Sequence, residues 1–136
     1  MANALYGLGR EKFLRGEVSW NTHDIKVVLV KTSGGYSVNI DTHEFLSSIN
    51  VGDRVATSGN LGTKSTTLGV ANAGNVTFTA VTGDACGAVV IYRDSGDPAT
   101  SPLIAYIDTA TGLPVTPNGG DITIEWDTGA NKIFKL

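Results

Sequence analysis

Two histidines, one cysteine and thirteen carboxylates are the residues of this chain able to do acid–base, nucleophilic or metal chemistry. His23 and His43 each stand beside an acid, Asp24 and Glu44. They are far apart in sequence, and metal ligands normally come in tighter spacing, so each reads better as a turn or helix-end residue. Cys86 has no second cysteine to pair with and no histidine near it in sequence, and reads as a small residue at a strand start. The acids group as Asp94 with Asp97 and as Asp121, Glu125 and Asp127. The first pair falls among turn formers and the second on the polar side of an alternating segment, so neither defines two acids facing across a groove. Ser58 to Ser65, SGNLGTKS, departs from a phosphate-binding loop because Thr63 separates Gly62 from Lys64 and no helix follows. Gly7-Leu8-Gly9 lacks the preceding strand of a dinucleotide fingerprint. Asn75-Val76-Thr77 has the form of a glycosylation sequon without a secretory leader. These residues predict no enzyme, no bound cofactor and no metal site.

The elements that must position them are mostly strands. The apolar runs Ala88 to Tyr92 and Leu103 to Ile107 flank Arg93 to Pro102, where nearly every residue favours turns. Neither run alternates, so both are expected to be buried on two faces, as a hairpin inside a sheet. Ile25 to Lys31 is the first clear strand, and Tyr36 to Ile40 and Arg54 to Thr57 read as weaker ones. Asp41 and Glu44 have the spacing of a capping box, which predicts a short helix from His43 to Ile49. A strand is plausible at Ser65 to Val70. Asn75 to Val81 alternates, with Val76, Phe78 and Ala80 on one face. Asp121 to Asp127 and Ile133 to Leu136 complete the set. At the front, Asn3 can cap a helix over Ala4 to Arg15 that stops at Gly16. Gly7 and Gly9 lie inside it, each costing roughly 1 kcal/mol against Ala.

The chain has 136 residues, 41% of them apolar and 17% charged, which fits one domain with its own core. The expected architecture is all-β: a single antiparallel β-sandwich over 21–136, preceded by a helical segment over 1–20, with one short additional helix. A net charge of −3 speaks against nucleic acid as a partner. No run is apolar enough to span a membrane or to form a signal peptide, which predicts a soluble chain made in a cytoplasm. Tyr6 and Phe13 on a marginal helix, with Trp20 just beyond it, are the candidate protein-interface residues. Tyr6, Phe13 and Leu14 could share one face, and that face either docks a partner or packs on the chain's own sandwich.

The opening MANALYGLGREKFLRGEVSW with Asp24 to Val30 resembles a family of small virion proteins of tailed bacteriophages. So do Tyr36 to Asn39 with His43 to Leu46, the segments VVIYRDSG and PLIAYIDTATGLPVTPNGGDITIEWD, and the closing GANKIFKL. The resemblance implies a non-enzymatic structural protein of the virion, assembled in the bacterial cytoplasm. The use it implies first is capsid decoration (cement), binding the major capsid protein as a homo-oligomer, with a trimer expected. A tail, neck or baseplate component, with the 94–102 or 109–120 loop binding the host, is the alternative. A carbohydrate-active sandwich would need an acidic groove.

Overall fold

The computed structural model describes residues 3–136. It is mainly β, with antiparallel pairing throughout and one α-helix. In chain order the elements are β1 (Ala4–Leu5), α1 (Gly7–Leu14), β2 (Ile25–Val30), β3 (Arg54–Thr57) and β4 (Val70–Ala71). They continue with β5 (Val76–Phe78), β6 (Ala88–Arg93), β7 (Leu103–Ile107), β8 (Ile122–Ile124) and β9 (Phe134–Lys135). Five strands form one sheet in the order β1-β7-β6-β2-β3, and β4–β9 and β5–β8 form two ribbons.

The hairpin expected at residues 88–107 is the middle of that sheet. β6 pairs with β2 from Ile25↔Arg93 to Val30↔Ala88, and with β7 across a register shift between Ile91 and Tyr92. The lack of alternation in these strands follows from burial on both faces. On one face Ile25, Val27, Leu29, Val89, Ile91 and Ile107 meet the ribbons through Ala71, Val76, Phe78, Ile122, Ile124, Trp126 and Phe134. On the other, Val28, Val30, Val90, Tyr92, Leu103 and Tyr106 are covered by Tyr6 and by the 31–53 excursion, with Tyr36, Leu46 and Ile49. Burying each large aliphatic side chain contributes about 1.5–3 kcal/mol, so this central sheet carries most of the stability.

Several expectations are corrected. Residues 4 and 5 are a strand, not the first turn of a helix, and Asn3 is not a cap. Its side-chain Oδ1 accepts from the Asp108 N–H at 2.9 Å and its amide donates to Thr109 Oγ1 at 2.6 Å. The helix therefore starts at Gly7, while Gly16 at φ +76° does end it. No helix spans 43–49. Asn39 Oδ1 takes the Asp41 and Thr42 N–H groups, and the backbone of Glu44 and Leu46 bonds to Leu103 and Ser101. Only a 3₁₀ turn at Leu46–Ser48 remains. Tyr36 to Ile40 is not a strand, and 65–70 holds a bridge, Ser65↔Asn72, and a 3₁₀ turn at Thr67–Gly69, with regular pairing only from Val70, where β4 begins. β5 ends at Phe78 because Ala80 turns to φ +50°, its N–H held by Asp121 Oδ1 at 2.9 Å. Val81 is thereby buried in place of Ala80.

Candidate interaction surface

Gly9 decides where α1 lies. A Cβ on it would stand 2.3 Å from the Leu103 carbonyl oxygen, so the bare glycine lets the helix touch the β7 backbone. At 100° per residue, a helix that turns Gly9 and Phe13 to the sheet turns Arg10 and Leu14 outward together. The helix closes with a Schellman arrangement, Gly16 N–H to Phe13 O and Glu17 N–H to Lys12 O. Lys12 pairs with Glu44 at 2.8 Å, tying the helix to the 43–46 segment. Leu14 is left 89% exposed.

Beside the helix runs β9, and Leu136, which follows it, is 60% exposed, donates its N–H to Gly69 O and lines one hollow with Leu14 and Phe13. Leu5, Arg10, Phe13, Leu14, Lys135 and Leu136 line a hollow of about 310 Å³. A second hollow of about 170 Å³ shares Phe13 and Leu136 with it and reaches Trp20, Ala71 and Phe134. No carboxylate side chain lines either one. Arg10 and Lys135 are the two cations among the described residues whose side chains have no hydrogen-bond or ion-pair partner. The others are held, as by Lys26–Asp94 at 2.7 Å and Lys31–Asp84 at 3.2 Å.

Of the three predicted interface aromatics, two come together at this surface. Phe13 is half-buried and its ring lies 6.1 Å from Phe134, which in turn meets Trp20 edge-on at 5.3 Å. Trp20 is a floor residue, 4% exposed, its indole N–H donated to Asn72 O at 3.1 Å. Tyr6 is fully buried on the opposite side of the central sheet and does not belong to the surface. It shares no face with Phe13 or Leu14. Leu14 enters the sequence reading only on a face shared with Tyr6 and Phe13, and Lys135 and Leu136 only as part of a strand; Arg10 is not singled out. The available signal was that Phe13 and Leu14 stand 100° apart on the helix, so a helix seated on its Gly9 and Phe13 side turns Leu14 away.

The histidines, the cysteine and Asp94 each have partners within the fold. His23 Nδ1 accepts from the Ser19 N–H at 2.9 Å. His43 Nδ1 accepts from Tyr36 Oη at 2.7 Å and from the Asn39 N–H at 3.3 Å. Burial lowers the pKa of both imidazoles. Cys86 is buried, its thiol pushed up to about 11 by desolvation and then by Asp84. Asp94 is held below the ordinary carboxylate range by Lys26 and the Gly96 N–H. Among the described residues no three His, Cys, Asp or Glu cluster as a metal site would require, and no helix is long and apolar enough to cross a membrane. Residues 58–61 run along β2, with Ser58 N–H on Val27 O and Leu61 N–H on Ile25 O, and no α-helix follows them. The chain matches no known family model and no curated protein sequence.

Proposed function

We propose that this chain is a non-enzymatic structural protein of a tailed-phage virion, a decoration (cement) protein that docks on the major capsid shell. The carrying observation is the apolar surface of α1 and β9, where Leu14 and Leu136 stand in solvent at 89% and 60% exposure. Exposed apolar side chains grouped at a hollow and flanked by Arg10 and Lys135 suit a protein–protein contact. The sequence resemblance to small virion proteins supports the same reading. In this reading the five-stranded sheet and the two ribbons facing it are the layers of a single β-sandwich, and 1–20 supplies the docking edge. The rigid central sheet presents the surface, and many copies acting together tie neighbouring shell subunits against internal pressure. No cofactor, nucleic acid or membrane enters this role.

Particles assembled without this protein test the reading. They should keep the same capsid subunit content but rupture at lower temperature and under milder osmotic shock than complete particles. Equal resistance of the two would contradict it.

A further inference from the structure

We infer that the α1–β9 surface binds an extended protein segment that alternates apolar and acidic side chains. This deepens, and rests on, the reading of that surface as an interface.

Three observations identify the occupant. The first is charge. The chain is acidic overall, at −3, yet its two unpartnered cations, Arg10 and Lys135, both line the apolar hollow, which no carboxylate side chain enters. Elsewhere cations are held, so this pair is the place where carboxylates from outside would be matched. The second is the backbone. β1 is the outer strand of its sheet, and β9 has a strand on one side only. Tyr6 N–H bonds Ile104 O and Leu136 N–H bonds Gly69 O. By the alternation of antiparallel ladders, the N–H and C=O of Leu5 and of Lys135 point away from their partner strands. Both residues border an adjoining cleft of about 360 Å³ between β1 and the 131–135 segment, whose charged lining is Lys132 and Lys135 with one carboxylate, Asp127. An extended segment can bond such an edge while sending alternate side chains into apolar hollows. The third point weighs against the simplest dimer. Setting this surface on itself about a two-fold axis would face its two cations with the same two cations of the copy. A partner segment of opposite charge has no such conflict.

The test uses the full chain and two labelled peptides of about ten residues, one alternating apolar residues with Glu and one with Lys. Fluorescence anisotropy should show binding of the Glu peptide and none of the Lys peptide. The double variant Arg10→Glu/Lys135→Glu should weaken the Glu peptide by roughly tenfold or more and take up the Lys peptide. Leu14→Ser, at an exposed position that does not endanger folding, should weaken the Glu peptide alone among otherwise unchanged properties. Equal binding of both peptides, absence of Glu-peptide binding, or indifference to the charge reversal overturns the inference. Binding to phosphatidylserine vesicles without peptide binding would reassign the surface to a membrane. A concentration-dependent dimer that Leu14→Ser abolishes would reassign it to a second copy. Either outcome overturns the inference. A chain that binds the Glu peptide but is missing from particles would leave the surface standing and remove only the capsid.

Discussion

Tyr6 Oη lies 2.8 Å from Tyr36 Oη, which lies 2.7 Å from His43 Nδ1. Because the Asn39 backbone N–H also points at Nδ1, that nitrogen is an acceptor, and the chain of donors runs Tyr6 to Tyr36 to His43. Tyr6 is fully buried, and burial followed by Tyr36 raises its phenol far above the ordinary range. Removing its partner with Tyr36→Phe should cost about 1–3 kcal/mol in urea unfolding, since a buried hydroxyl is orphaned. Tyr6→Phe/Tyr36→Phe should cost less than the sum of the two single changes; additivity would contradict the relay. The same geometry sets a pH dependence. The folded pKa of His43 is lowered by burial, so the unfolded chain takes the proton first, near about 6.5. Stability is therefore full above that value and falls as pH drops from there through the folded pKa. His23 acts in the same direction. Thermal melts from neutral to mildly acidic pH should fall in the wild type, less in His43→Gln, and least in His23→Gln/His43→Gln. None of this was legible in the sequence, where Tyr6 reads as an exposed aromatic and His43 as a helix-end residue. Tyr6 and Tyr36 are 30 positions apart and meet only because both pack on the same face of the central sheet, which also places Tyr36 beside His43.

At the scale of elements, long apolar runs bounded by turn formers were legible and short strands were not. Ala88–Arg93 and Leu103–Ile107 form where expected because burial on both faces leaves an unbroken apolar signal. β1, β4 and β9 have two residues each and exist only because a partner edge lies beside them. No local pattern can encode that. Glycines in α1 read as weaknesses, yet Gly9 is the contact that seats the helix. Gly9→Ala should thus destabilise, although helix propensity alone favours Ala by about 1 kcal/mol. A lower urea midpoint is expected, with a smaller change for Gly7→Ala, whose Cβ would meet Ile40 O at 3.3 Å. A Gly9→Ala protein as stable as the wild type would mean that α1 does not lie against β7.

For the whole molecule, the apolar core closes within the chain while four large apolar side chains among the described residues, Leu14, Val51, Leu68 and Leu136, stay in solvent, and of these Leu14 and Leu136 share one hollow. Tyr6 and Trp20 are spent inside, and Leu14 and Leu136 are left outside. Sequence reading found the neighbourhood of that surface through Phe13 and Trp20, but the direction of the helix against the sheet selects the exposed side. If Leu14 and Leu136 serve an external contact, Leu14→Ser/Leu136→Ser should leave the melting midpoint nearly unchanged, within about 0.5 kcal/mol. It should also raise solubility. A large loss of stability would place those side chains in the fold's own packing. The central claim is that the contact is with a capsid shell, and the copy number of the chain in purified virions tests it most directly. Quantitative mass spectrometry should give a simple ratio to the major capsid protein, as a lattice-bound protein requires. A few copies per particle would move the chain to the tail or neck, and its absence from particles would contradict the account.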